Sequence, residues 1–477
     1  MSNGLPHYLK MAKPNPATNR APWHKNTAPT YAGIFLWFVF WAPLVSGGTK
    51  IPILGGILGS GIGAALVGLV VGAVLCHFLF YYVPGMLGMK TGLPLYVVGT
   101  STYGAQGGFL MPGFLMGVLQ FGWLGVNAFF AAGALAPLFG GSVVATKVIA
   151  VVWAAIAAFV GLKGIQYVAK VATYLPLIPL IILAVMLLKT LGGLGSFDAN
   201  RLVDEGGKWA AVEAAKAAAA GKEFPFEPGL DSLGAIGLAI TYIIGFFATA
   251  GAAGVDFGMN NRDEKDVQWG GLVGVAGAII VTGGASILIA AGAFGKGGEY
   301  LMNTADAGFM GKVMGSDGMG KTMGLLLAVA AFPPACFSSF IAANSFKTTL
   351  PNVNPFISVG IGALVSIVLA VTGWAGSVMQ VFSVIGASFG PVCGAMMVDY
   401  FLSGQKWAGP RAGWNMAGWI SWVVGFLVGM APMMGWANIP VAPVLAFVVG
   451  AVLYFVLAKA GLQPAVVPME GSGQATA

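Results

Sequence analysis

Charged side chains are scarce in this chain of 477 residues, and their scarcity excludes a soluble protein. Only 8% of the residues are Asp, Glu, Lys or Arg, whereas soluble proteins carry about 25%. A chain that is 57% hydrophobic cannot cover itself with a polar surface. Many of its apolar stretches reach the roughly 20 residues needed to cross a bilayer. The composition therefore predicts an all-α polytopic membrane protein.

Cysteine and histidine are also few, which excludes several kinds of site. The three cysteines, Cys76, Cys336 and Cys393, form no CxxC pair, so we expect neither a disulfide framework nor a thiolate metal site. Two of the three histidines fall in the N-terminal tail. A catalytic or metal-binding cluster is therefore not expected, and the chain is predicted not to be an enzyme. We expect no organic cofactor.

The absence of other motifs narrows the remaining classes. No Walker A sequence occurs, which argues against an ATP-driven pump. Rings of charge and repeated filter motifs are also missing, which argues against a channel. The net charge of +7 comes from dispersed basic residues, so no nucleic-acid partner is expected. The expected partners are the lipid bilayer and a small molecule, and no obligate protein partner is inferred.

Apolar runs between polar breaks predict twelve transmembrane spans. An even number of spans places both termini on the same side of the membrane. Lys and Arg are more frequent in the segments on that side, which favours a cytoplasmic location for both termini. Residues 1–30 and 461–477 are therefore predicted to be cytoplasmic tails of a protein of the cell inner membrane. The spans, numbered 1 to 12 in chain order, are predicted at residues 31–50, 57–83, 108–136, 142–162, 171–190, 233–255, 268–294, 322–346, 355–374, 380–402, 413–431 and 438–458.

Spans 1 and 6 contain residues that disturb a helix. Pro43 removes a backbone hydrogen bond in span 1, and Gly47 and Gly48 weaken the following turn. Span 6 is glycine-rich from Gly245 onward and ends near Asp256. Interrupted helices at corresponding positions of two five-span halves are typical of a transporter binding site, because unwound backbone exposes its carbonyl and amide groups. We therefore expect a break in both spans; an ordinary kink at Pro43 and glycines that only aid packing are the alternative.

Several short motifs are spread over the chain. Span 3 contains Q-x-G-W-x-G-V at residues 120–126, and span 10 contains P-x-x-G-x-x-x-x-D-Y at residues 391–400. The other elements are GMKTGL at residues 88–93, STYG at 101–104, TAG at 249–251 and DF at 256–257. Together they resemble the nucleobase:cation symporter-1 family, and within it the bacterial cytosine and purine permeases. The resemblance covers roughly residues 30–460.

This resemblance implies a LeuT-like fold. Two inverted five-span repeats, at residues 31–190 and 233–402, would be followed by two extra helices at residues 413–458, all within one transporter domain at residues 31–460. The resemblance also implies a cation symporter that imports a nucleobase or a related planar heterocycle, such as cytosine, by alternating access.

The resemblance further implies substrate contacts for Gln120 and Trp123 of span 3. The indole of Trp123 has a flat face for stacking, and the amide of Gln120, one turn earlier, can donate and accept hydrogen bonds. The second stacking ring of the family falls on Phe247, with its neighbour Phe246 as the alternative, and Phe40 of span 1 would flank the substrate. Packing of the indole and an interhelical hydrogen bond of the amide are the alternative roles.

Span 8 is expected to contribute a cation site. Ser338 and Ser339 match two hydroxyls that bind sodium, together with carbonyls of the broken first helix, in sodium-coupled members of this fold. The pair does not distinguish Na⁺ from H⁺, and back-bonding to helix carbonyls is the alternative. Ala335 departs from the asparagine of cytosine permeases, whereas Asn344 resembles the substrate asparagine of a related hydantoin transporter. A hydantoin-like, allantoin-like or other pyrimidine-type ring is therefore the alternative substrate.

Two carboxylates, Asp256 and Asp399, fall at the predicted ends of spans 6 and 10. Carboxylates inside a membrane are costly and point to a functional site. Because both lie at ends that water can reach, we expect helix-end structure or gating rather than substrate binding.

Overall fold

The regular structure of this protein is helical throughout the part of the chain that the structure describes. A computed structural model describes residues 5–350 and 352–469, apart from the side chains of Ile165, Ala169 and Thr348. Within these ranges the β-structure consists of three isolated bridges. The apolar composition therefore forms the helical membrane protein that the sequence predicts.

Nine helices of the described chain are long and apolar enough to cross a membrane, and two shorter apolar helices and the divided first span bring the number to twelve. Span 1 consists of Thr27–Leu36 and Phe38–Trp41. The other spans, from 2 to 12, are Ile62–Thr91, Phe109–Phe139, Val143–Lys163, Gln166–Ser196, Ser232–Ala252, Glu264–Gly295, Asp317–Thr349, Pro355–Val371, Val378–Leu402, Met416–Met430 and Ala442–Lys459.

Span 1 is broken twice, once more than expected. Its helix stops at Trp37, which has an extended backbone at φ −62° and ψ 121°. The second piece ends at Trp41, and irregular turns follow through Pro43. Gly47 and Gly48 then adopt φ values of 77° and 63°, which residues with a side chain rarely reach. The proline and the glycine pair therefore end the span, as expected. The break at Trp37 could not be predicted, because no glycine or proline occurs there.

Span 6 is interrupted only near the end of its glycine-rich stretch, between Gly251 and Gly254. The helix continues from Ser232 to Ala252, and the interruption comes only at Ala253, before the short helix Gly254–Gly258. The glycines serve packing instead. A Cβ atom at Gly245 would lie 2.7 Å from Cβ of Phe382, and one at Gly251 would lie 2.7 Å from Cβ of Phe80. Close approach of neighbouring spans, rather than unwinding, explains these residues.

The polar termini and loops are folded against one face of the bundle. In the N-terminal tail, Tyr8 donates a hydrogen bond to the Ala105 carbonyl, and the Asn15 amide donates to the Met259 carbonyl. In the C-terminal tail, the N–H of Val467 donates to the Pro410 carbonyl at 2.7 Å. Both tails therefore contact loops between spans, and they lie on the same side of the molecule.

Candidate functional site

Trp123 lies inside the bundle, at the centre of a cluster of aromatic rings. Its ring centroid lies 5.1 Å from that of Phe246, 5.5 Å from that of Phe382 and 5.8 Å from that of Trp37. These four rings, from spans 1, 3, 6 and 10, are called the aromatic cluster below. The Trp123 side chain is buried. The indole therefore faces the protein interior rather than the acyl chains.

The break in span 1 brings Trp37 to this cluster and leaves backbone carbonyls that need partners. The Tyr242 hydroxyl of span 6 donates to the carbonyls of Val39 and Phe40, at 3.0 and 2.9 Å. The Ser286 hydroxyl of span 7 donates to the Trp41 carbonyl at 2.7 Å. Because buried carbonyls without partners are costly, these bonds fix the second piece of span 1 against spans 6 and 7.

Two polar groups lie beside the aromatic cluster. The indole N–H of Trp123 donates to the Thr249 hydroxyl of span 6 at 3.1 Å. The buried amide of Gln120 is 3.5 Å from the sulfur of Met116, a weak acceptor. The amide of Gln120 therefore keeps strong hydrogen-bonding capacity for another partner.

The phenylalanines divide between two faces of span 6. Phe246 lies in the aromatic cluster, and its ring centroid is 5.0 Å from that of Phe40. Phe247 faces the first piece of span 1, where it stacks on Phe35 at 5.5 Å and lies 5.6 Å from Tyr31. The ring beside Trp123 is therefore Phe246, and the substrate role given to Phe247 stays a prediction.

The hydroxyl pair of span 8 lies on the other side of span 3. Span 8 packs mainly on spans 3 and 4. Ser338 is buried and donates to the Pro334 carbonyl at 3.2 Å, as a back-bonded serine does. The Oγ atom of Ser339 is buried and has no hydrogen-bond partner among the described residues. This oxygen can accept a cation, although the carbonyls of span 1 around Val39 contact spans 6 and 7 instead.

Asn344 lies near the end of span 8 and is exposed, in contrast to the buried residues of the aromatic cluster. A different amide, Asn127, occupies the protein interior. Its nitrogen donates to the Ala331 carbonyl of span 8, and its oxygen accepts from the Trp153 indole of span 4, both at 2.8 Å. Asn127 lies one turn after Trp123, and this spacing was the signal that could have identified it.

Both carboxylates anchor loops rather than lining the aromatic cluster. Asp256 accepts a hydrogen bond from the Leu95 N–H at 3.0 Å, and burial raises the pKa of its carboxyl to about 6 despite that bond. Asp399 is buried and forms an ion pair with Arg411, with Oδ1 and Nη2 2.9 Å apart. Helix-end structure therefore accounts for the contacts of both residues.

No protein-family model matches this chain, and no curated protein matches it. Solved structures do resemble it over nearly its whole length. One is Mhp1, described as a nucleobase-cation-symport-1 family transporter, in a closed conformation with bromovinylhydantoin bound. It is 16% identical, with a TM-score of 0.62 over 94% of this chain and 95% of that chain. The inward-facing conformation of Mhp1 gives a TM-score of 0.63 at 16% identity, over 96% of both chains.

A third similar structure is a Na⁺-coupled sialic acid symporter in a substrate-bound outward-open state. It is 14% identical, with a TM-score of 0.51 over 94% of this chain and 92% of that chain. These similarities confirm the predicted fold class, an all-α LeuT-like arrangement of a multi-pass membrane protein. The solved neighbours are transporters and not enzymes.

Proposed function

We propose that this protein is a secondary active transporter that imports a nucleobase or a related planar heterocycle together with a cation. The observation that carries the proposal is the position of Trp123, which lies inside the bundle beside a broken span 1. A flat ring can stack on an indole face, and the amide of Gln120 can pair with the polar edge of such a ring. The Mhp1 structure with bromovinylhydantoin bound has the same fold and holds a planar heterocycle.

In this proposal, substrate entry separates the rings of the aromatic cluster. Trp123 and Phe246 contact each other in the structure, and a flat ring inserted beside them would replace these ring contacts with stacking on the substrate. Phe40 contacts Phe246 beside this position. Phe247 and Asn344 lie away from it here and are retained as contacts in another conformation of the transporter. Cytosine is the first candidate, and a hydantoin-like, allantoin-like or other pyrimidine-type ring is the alternative.

The coupling ion is assigned to Ser338 and Ser339. The unpartnered oxygen of Ser339 supports this assignment, because a hard cation prefers oxygen ligands. One similar structure belongs to a nucleobase-cation-symport-1 family transporter, and another is a Na⁺-coupled symporter. The second description favours Na⁺ over H⁺ as the coupling ion. We further propose that the protein lies in the cell inner membrane with both termini in the cytoplasm.

Uptake into proteoliposomes tests the proposal. Radiolabelled cytosine, uracil and hydantoin are offered under separate Na⁺ and H⁺ gradients. We expect saturable uptake of at least one of them, lost in Trp123→Ala and Gln120→Ala and retained in Trp436→Ala, which removes an exposed indole. Ser339→Ala should reduce uptake driven by Na⁺ while leaving the protein folded. Unchanged uptake in both Trp123→Ala and Gln120→Ala would refute the assigned site.

A further inference from the structure

An apolar groove runs along the outer surface of the bundle between spans 4 and 9. Its volume is about 260 Å³. Phe159 and Leu364, on its two walls, are 62% and 64% exposed. Gly360 lies in the wall formed by span 9, and a Cβ atom there would meet no other atom within 4 Å. The groove therefore opens toward the hydrocarbon of the bilayer. Its lining also includes Ala155, Ala158, Leu162, Phe356, Ala363 and Ile367.

The groove has the length of one membrane leaflet. Spans 4 and 9 are antiparallel here, because Lys163 at the end of span 4 contacts Phe356 at the start of span 9, and Ile367 packs against the cluster that contains Ala154 of span 4. Eleven helical steps from Phe356 to Ile367 cover about 16 Å at 1.5 Å per residue. Half of a hydrocarbon core of about 30 Å is about 15 Å. An acyl chain that enters beside Phe356 would therefore reach the middle of the membrane within the groove.

The end of the groove beside Phe356 carries positive charge. Lys163, the last residue of span 4, places its ammonium 5.0 Å from the centroid of the Phe356 ring. Lys170 and Lys347 are exposed near this same end of the bundle, at the start of span 5 and at the end of span 8. The sequence contains no Asp or Glu at residues 143–197 or 318–398. The groove entrance therefore has cations without carboxylates on the same or adjoining segments.

We propose that the groove between spans 4 and 9 binds an anionic phospholipid, with one acyl chain in the groove and the phosphate at Lys163. The apolar walls match the acyl chain, and the ammonium of Lys163 complements the headgroup. A second copy of this chain would have to place a narrow apolar ridge in the groove. A soluble partner does not reach the hydrocarbon core of the membrane, where the groove lies. The lipid is the occupant that matches the depth, the apolar lining and the charge together.

Native mass spectrometry of the full chain in detergent tests this proposal. The probes are dioleoyl phosphatidylglycerol and dioleoyl phosphatidylcholine, which share acyl chains and differ in net charge. We expect the wild type to prefer phosphatidylglycerol, and Lys163→Gln to reduce that preference about fivefold, as expected for the loss of one headgroup-binding charge. Lys147→Gln, at the opposite end of span 4, should keep the preference.

A second variant tests the groove itself. Gly360→Leu fills the open space beside span 9 and should displace both lipids, while Gly133→Leu, which also meets open space, should not. Both variants must elute as folded protein before their spectra are compared. Equal binding of the two lipids by the wild type, an unchanged preference in Lys163→Gln, or unchanged lipid binding in Gly360→Leu would overturn the proposal. A dimer that Gly360→Leu dissociates would assign the groove to a second copy and would also overturn it.

Discussion

Trp123 depends on one hydrogen bond and three ring contacts for its position. Its place near the middle of span 3 was enough to predict that it lies inside the bundle. The ring opposite it could not be predicted, because adjacent residues of a helix point about 100° apart and the sequence does not fix the rotation of span 6. Phe246 rather than Phe247 therefore faces Trp123. Trp37 was also missed, because nothing in its own sequence indicates the break there.

Thr249 is the residue that orients the Trp123 indole. Thr249→Val keeps the shape of the side chain but leaves the indole N–H without its acceptor. A buried donor without a partner costs about 1–3 kcal/mol, so we expect lower thermal stability and a KM for uptake raised up to about tenfold. Thr241→Val is the control, because that hydroxyl bonds only within span 6. Equal KM values for the two variants would contradict this role of Thr249.

We expect Asp256 to make the stability of the protein depend on pH. Its folded-state pKa of about 6 exceeds the ordinary value of 3.8, so the folded state binds more protons than the unfolded state between these values. The contribution of Asp256 to stability is therefore greatest below about pH 4 and is lost as the pH rises through 6, by at most about 3 kcal/mol.

The variant Asp256→Asn removes the titration and still accepts the hydrogen bond from Leu95. We expect the unfolding temperature of the wild type to fall, relative to that of the variant, as the pH rises from 4 to about 7. The exposed Asp204→Asn serves as the control and should follow the wild type. Parallel pH profiles for Asp256→Asn and the wild type would show that Asp256 does not titrate in this range.

At the scale of elements, the two disturbed spans differ because glycine has two uses in a membrane helix. In span 1, Pro43 and the turn glycines end the helix, which the sequence could indicate. In span 6, Gly245 and Gly251 are enclosed by Phe382 and Phe80, and tertiary packing keeps their helix intact. Local sequence cannot distinguish the two uses, because the difference lies in residues that are distant in the chain. The nine long apolar spans of the described chain, in contrast, follow from length and hydropathy alone.

Tyr242 of span 6 contacts span 1 and should stabilise the broken conformation of span 1. Tyr242→Phe deprives the carbonyls of Val39 and Phe40 of their shared donor without changing the ring. Leaving buried carbonyls without a donor costs about 1–3 kcal/mol, so we expect a lower unfolding temperature in detergent. Tyr174→Phe removes a hydroxyl from a side chain that is 70% exposed and should leave this temperature unchanged. A wild-type unfolding temperature in Tyr242→Phe would mean that other groups satisfy the carbonyls.

At the scale of the whole molecule, Asp399 joins four segments of the chain, and the one that contains Ser101 is 298 residues away in sequence. It accepts hydrogen bonds from Ser101, in the short helix Thr100–Tyr103 before span 3, and from Tyr454 of span 12, and it pairs with Arg411 of the loop before span 11. The guanidinium of Arg411 also donates to the Ser101 carbonyl at 2.9 Å. The separation of 298 residues between Ser101 and Asp399 explains why the sequence could give the motifs but not their contact.

Removing one member of this buried ion pair should lower the stability of the protein more than removing both members. Asp399→Asn leaves the Arg411 guanidinium buried without its counter-charge, which costs about 3–5 kcal/mol. The double variant with Arg411→Gln has no uncompensated charge, so we expect it to unfold at a higher temperature than Asp399→Asn alone. Glu299→Gln breaks the exposed pair with Lys312 and should cost less than about 1 kcal/mol.

This comparison separates the charge of the pair from its packing. If the double variant is no more stable than Asp399→Asn, the hydrogen bonds from Ser101 and Tyr454 rather than the charge of Arg411 hold the four segments together. If it recovers stability, the ion pair is the main connection between span 10 and the loop before span 11.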